Sequence, residues 1–181
     1  MDSAPEKLLH IFTSLLYFTL SCSILYYVFR KARTVQQFAP GSDPHGLGAE
    51  LVEQGLTVLY CIGEKSEEQE AWQQVLGDQL SIGLDGVDKS KVVIAYEPIW
   101  SIGPGKTPAD KPYIEKIARF VKERTDGLDV VYGGGLKVDN AEMLASIPEI
   151  DGGLIALTRF SGEIGFYPDE YLDIIRLYLG K

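Results

Sequence analysis

Four short apolar runs, each followed by a stretch of helical periodicity, constrain this chain more than any other feature. They are Thr57–Ile62 (TVLYCI), Lys91–Tyr96 (KVVIAY), Asp129–Tyr132 (DVVY) and Gly153–Leu157 (GLIAL). Each is continuous rather than alternating, which predicts strands covered on both faces, as in a parallel sheet flanked by helices. A short helix over Leu47–Gly55 leads into the first run. Between the runs, Trp72, Val75, Leu76 and Leu80 recur at helical spacing, as do Ile114, Ile117, Ala118 and Val121. Ser66 with Gln69 reads as a capping box, and Asp139 with Glu142 as the start of a short helix carrying Leu144 and Ile147. An amphipathic helix over about Pro168–Leu179 closes the chain. Four such units in a row make an α/β fold. The pattern fits a doubly wound sheet and part of a (β/α)8 barrel equally.

The amino-terminal segment is of another kind. Residues 8–29 form a run of 22 with no formal charge, flanked by Lys7 on one side and by Arg30, Lys31 and Arg33 on the other. At about 1.5 Å per residue such a helix reaches roughly 33 Å, enough to span a bilayer. The basic cluster on its carboxyl side would hold the remainder in the cytoplasm. Six polar residues, among them His10 and Ser21, weaken the span. The competing reading is a stretch foreign to the functional protein. The expected organisation is a hydrophobic helix within residues 1–38, a Gly/Pro/Ser/Asp linker over 39–46, and an α/β unit over 47–181. The net charge of -9, with no basic stripe, argues against a nucleic-acid partner. Two cysteines and two histidines, without a CxxC pair, point to neither a disulfide framework nor a metal site, and no cofactor is expected.

Chemistry concentrates where the runs end. Lys91–Tyr96 passes directly into Glu97-Pro98-Ile99-Trp100-Ser101-Ile102-Gly103-Pro104-Gly105-Lys106-Thr107. A carboxylate at the carboxyl end of a parallel strand stands where α/β folds place reactive groups. The Gly-Pro-Gly tip reads as a lid, stiff in the middle and hinged at both sides. The third run ends in Gly133-Gly134-Gly135, which can bring backbone N–H groups close to an anion. Gly105-Lys106-Thr107 is not a P-loop, because that motif needs glycine where Trp100 stands. Each feature alone reads most simply as a solvated loop or a tight turn. Their order is what carries weight.

That order is Cys61-Ile62-Gly63-Glu64, then Ala95 through Thr107, then Tyr132-Gly133-Gly134. It resembles the triosephosphate isomerase family over about residues 47–181, the carboxyl half of that family's barrel. The resemblance implies that the four strands are barrel strands five to eight, and that Glu97 is the catalytic base. Glu97 would move a proton between adjacent carbons of a triose phosphate through an enediol. It also implies a lid over Pro98, Ile99, Trp100, Ser101, Ile102, Gly103, Pro104, Gly105, Lys106 and Thr107. Gly103, Gly134 and Gly135 would meet the substrate phosphate, and Tyr132 would latch the lid. Cys61 and Glu64 would give support by packing and ion pairing. Members of the family are commonly homodimers that act on a phosphorylated sugar in the cytoplasm.

Departures accompany the resemblance. The family's Asn and Lys from the first strand, and its His before Ser-Glu-Arg-Arg, have no counterpart here. A full barrel takes about 250 residues. Little isomerase activity is therefore expected from these 181 residues alone. An inactive, membrane-anchored remnant is one alternative. Gly135 stands where the family usually has Ser, and Ala156–Phe160 where it has a Gly-Gly pair. Arg159 there suits either a phosphate or a surface ion pair. These departures suggest a second alternative, an isomerase of a related keto-sugar phosphate such as erythrulose phosphate.

Overall fold

The computed structural model describes residues 47–102, 105–155 and 168–180. Four strands, β1 (Val58–Ile62), β2 (Val92–Tyr96), β3 (Val130–Tyr132) and β4 (Gly152–Gly153), form one sheet in the order β1-β2-β3-β4. All neighbours are parallel, with Tyr60 beside Ile94, Ile94 beside Val130, and Tyr132 beside Gly153. Strand order follows chain order without the reversal of a doubly wound sheet. The helices are α1 (Leu47–Glu53), α2 (Trp72–Gly83), α3 (Lys111–Thr125), α4 (Ala141–Ala145) and α5 (Pro168–Leu179).

Alternate strand residues define the covered face. Val58, Tyr60 and Ile62 of β1, Val92, Ile94 and Tyr96 of β2, and Val130 and Tyr132 of β3 are all buried. Against them pack Leu76 and Leu80 of α2, Ile114, Ile117, Ala118 and Val121 of α3, Leu144 of α4 and Ile174 of α5. The apolar spacing read from the sequence is the spacing that meets the sheet.

The opposite face departs from the expectation of burial on both sides. Leu59 is 38% exposed and Cys61 is exposed, so β1 alternates buried and open. Among the described residues, the helices cover only one side of β1. The continuous apolar run thus records a strand whose second face has no such cover here.

Helix ends follow local chemistry, with two caps shifted from the sequence reading. The Asp110 carboxylate accepts the Tyr113 N–H at 2.9 Å and starts α3 with Pro112 in its first turn. At the other end Asp126 takes φ 60° and Gly127 φ 87°, and the Gly127 N–H closes on the Lys122 carbonyl at 2.9 Å. The turn before α2 is capped at Lys65, whose N–H donates to Glu68 at 2.8 Å, rather than at Ser66 through Gln69. A carboxylate three residues on reaches that N–H, so Glu68 takes it. Before α4, the Asn140 side chain accepts the Lys137 N–H at 2.8 Å, in place of the expected Asp139 cap. The fourth strand is two residues long, where Gly153–Leu157 was expected, and residues 156–157 lie outside the described residues.

The hydrophobic helix expected over 8–29 and the linker over 39–46 also lie outside the described residues. Among those described, no helix is long and apolar enough to cross a membrane.

Ile117 is fully buried between α3 and the sheet. Ile117→Ala should lower unfolding free energy by about 2–5 kcal/mol, read as a lower urea midpoint with an unchanged slope.

Candidate active site

The carboxyl ends of β1, β2 and β3 converge on Glu97. The ladder continues one residue past each strand. The Glu97 N–H donates to the Ile62 carbonyl at 2.7 Å, and the Gly133 N–H donates to the Tyr96 carbonyl at 2.8 Å. Glu97 is thereby held between the Ile62-Gly63 corner and the Tyr132-Gly133 corner. Both corners need glycine. A Cβ on Gly63 would lie 1.8 Å from the Glu97 carbonyl oxygen, and one on Gly133 would lie 2.5 Å from Glu97 Cγ. Neither approach is open to any other residue without a shift.

The Glu97 side chain is half-buried, and burial pushes its carboxyl above the ordinary range; a hydrogen bond with the Cys61 thiol pulls the other way. The thiol itself is pushed up to about 12, by burial of the sulfur first and then by the Glu97 charge and hydrogen bond beside it. Cys61 is exposed on the open face of β1, beside the carboxylate.

Glu64 departs from the ion-pair role expected of it. It is fully buried, and its Oε1 accepts from Trp100 Nε1 at 2.7 Å, Tyr113 Oη at 3.0 Å and Tyr96 Oη at 3.1 Å. These donors are neutral, and no ion pair of Glu64 occurs among the described residues. Burial first, then the Glu64 charge, pushes the hydroxyls of Tyr96 and Tyr113 upward. Both therefore remain protonated donors.

The expected lid begins in a single 3-10 turn, Ile99–Ser101, closed by the Ser101 N–H on the Pro98 carbonyl at 2.9 Å. Pro98 and Ser101 are buried, Trp100 is half-buried, and Ile99 and Ile102 are exposed. Gly103 and Pro104 lie outside the described residues; Gly105, Lys106 and Thr107 are exposed. Tyr132 is buried beside Ser101 and Ala109. Its oxygen is reached by the Ser101 hydroxyl and by the Ala109 backbone N–H, and its hydroxyl donates to the Gly134 carbonyl at 3.3 Å. Gly134 and Gly135 are buried, and Gly135 takes φ 102°. The structure thus brings Glu97, Tyr132, Gly134 and Gly135 to one end of the sheet, together with the turn Ile99–Ser101. Arg159 lies outside the described residues.

Three supporting residues were not singled out from the sequence. Gln79 of α2 holds Gly63 from both sides, with Nε2 donating to its carbonyl and Oε1 accepting its N–H, each at 2.9 Å. Its signal was an amide within the apolar stripe of Leu76 and Leu80. Asn140, buried, donates to the Gly135 carbonyl at 2.9 Å while accepting the Lys137 N–H, and so pins the glycine loop. Tyr113 has no signal beyond its place one residue before Ile114.

Among the described residues, a four-strand parallel sheet in chain order, with an acid at one strand end and a glycine loop at the next, forms the kind of rim at which α/β enzymes place their sites. The chain belongs to the triosephosphate isomerase family, whose sequence pattern matches residues 48–176. It is 44% identical over 113 residues to a triosephosphate isomerase of Bacteroides fragilis, covering 56% of this chain and 45% of that protein. It is 40% identical over 135 residues to that of Pelodictyon phaeoclathratiforme, covering 68% and 51%. For Halorhodospira halophila the figures are 37% over 134 residues, 66% and 51%. The chain spans about half the length of the curated relatives it matches.

The raised Glu97 carboxyl has a consequence for stability. A folded pKa above the unfolded value, about 4.3, gives stability that is present below that value and lost as pH rises through the folded one. Glu97→Gln removes this loss. The variant should therefore gain stability relative to the native chain between pH 4 and pH 7, measured by urea unfolding at both. A difference that stays constant would show that the carboxyl is unperturbed.

Proposed function

We propose that the chain carries the proton-transfer part of an aldose-ketose isomerase site, acting on glyceraldehyde 3-phosphate and dihydroxyacetone phosphate. The observation that carries this reading is the half-buried, raised Glu97 carboxyl, wedged between Gly63 and Gly133 at the carboxyl end of β2. A base must take a proton from carbon, hold it and return it to the neighbouring carbon. A carboxylate whose pKa is lifted by burial holds a proton better than one in water. The Glu97 carboxylate takes the proton from the carbon next to the carbonyl, and the electron pair forms the carbon–carbon double bond of an enediolate with the charge on the former carbonyl oxygen; that oxygen takes the proton of the neighbouring hydroxyl, and Glu97 returns its proton to the adjacent carbon as the new carbonyl forms.

The other roles follow from position. The backbone of Gly103, Gly134 and Gly135 holds the phosphate, with Arg159 as a further donor. Pro98–Thr107 is the lid, and Tyr132, in reach of Ser101 and Ala109, is its latch. In this reading β1 to β4 are strands five to eight of a (β/α)8 barrel, and a homo-oligomer forms when the whole barrel is present. The sequence has no counterpart of the family's Lys and His donors. Losing one oxyanion donor typically costs about 10²–10³ in rate.

A second reading takes a related keto-sugar phosphate, such as erythrulose phosphate, as substrate. Gly135 at φ 102°, where the family usually has Ser, favours it.

Deuterium incorporation tests the base directly, because exchange needs only proton abstraction. The purified chain in D2O should exchange the proton of dihydroxyacetone phosphate slowly but faster than its Glu97→Gln variant, with interconversion at least about 10²-fold below a complete isomerase. Equal exchange by chain and variant would sink the assignment and favour an inactive remnant. Faster exchange of erythrulose phosphate would favour the second reading. Full turnover abolished by Glu97→Gln would show that the missing donors are not needed.

A further inference from the structure

We propose that Tyr113 of α3 is a positioning residue for the lid: through Glu64 it sets how firmly the lid's Trp100 is held. The inference rests on the lid reading and adds to it a residue outside the lid and outside the strand ends.

The argument starts from lone pairs. A carboxylate has about two acceptor sites on each oxygen. In the Glu64 pocket three donors crowd Oε1, while Oε2 is buried with no hydrogen-bond partner among the described residues. One oxygen is over-subscribed and the other is unused. Three donors cannot all be well aligned on one oxygen, so each weakens the others. Trp100 comes from the lid, Tyr96 from the sheet and Tyr113 from α3.

A buried carboxylate that loses its only donor bears the full desolvation cost. With two tyrosines in attendance, Trp100 can depart while Glu64 stays hydrogen-bonded. Tyr113 therefore makes release of the lid base easier than it would be from a two-donor pocket. Its ring also packs edge-on against Trp100, with centroids 5.6 Å apart, and lies under the Lys116 ammonium at 4.3 Å. Those contacts belong to the ring, and the competition belongs to the hydroxyl. Tyr113→Phe separates the two.

The chain has two tryptophans, Trp72 and Trp100, so its indole N–H signals are few and assignable by Trp100→Phe. In the ¹⁵N-labelled full chain, Tyr113→Phe should slow solvent exchange of the Trp100 indole proton by about fivefold, the scale of one net hydrogen bond. Its resonance should also move downfield, with the Trp72 signal unmoved. In a Glu64→Gln background the slowing should shrink, because a neutral amide oxygen draws the three donors less strongly than a carboxylate does. Unchanged or faster exchange in folded Tyr113→Phe overturns the proposal, as does an equal slowing without the Glu64 carboxylate. Should Glu64→Gln fail to fold, the first comparison decides alone. Adding inorganic phosphate separates this from the lid reading. Slowed exchange in Tyr113→Phe with a Trp100 signal indifferent to phosphate upholds the competition and removes the phosphate-closed lid.

Discussion

The hydrogen bond from the Glu97 amide to the Ile62 carbonyl, 2.7 Å long, is the contact on which the site depends. It extends the β1–β2 ladder one residue beyond the sheet and fixes where the backbone of Glu97 leaves β2. The Gly133 amide does the same from the other side, on Tyr96. A side chain at either corner would push Glu97 away, so two glycines and two main-chain bonds place one carboxylate. Parallel pairing makes this possible, because all carboxyl ends then meet at one rim.

Support is layered outward from that rim. Gln79 fixes Gly63, Asn140 fixes Gly135, and Glu64 gathers Tyr96, Trp100 and Tyr113. Each is an amide or acid that is buried or half-buried, and their hydrogen bonds go to loop backbone or to aromatic donors. Such polar groups are costly to bury unless bonded. Their presence under three consecutive strand ends concentrates that cost where precise placement matters.

Much of this was legible in order and spacing. The strand and helix sequence, the covered face of α3, and Glu97 at the end of β2 all follow from short apolar runs, helical periodicity and a carboxylate placed directly after a run. The glycine corners were legible only in part. Gly133 to Gly135 stood out as a triplet, but Gly63 is a single glycine whose partner is 34 positions away in the chain. Glu64 was misjudged as an ion-pairing residue. A carboxylate after a strand is ordinarily solvated, and nothing local announces two tyrosines and an indole from distant segments. The caps at Lys65 and Lys137 moved by one or two residues, because backbone N–H groups take whichever side chain reaches them.

Taken alone, the sequence determined the α/β class, the helix faces and the place of Glu97 directly after a strand. These depend on interactions between residues near one another in the chain, or on a period imposed by one element. Only the tertiary structure decided that, among the described residues, strand order has no reversal, β1 is open on one face, and Glu64 is held by three neutral donors. Those facts depend on which segments become neighbours across 32 to 49 positions of chain. Local pattern does not encode that separation, because packing of the whole sheet selects the neighbours.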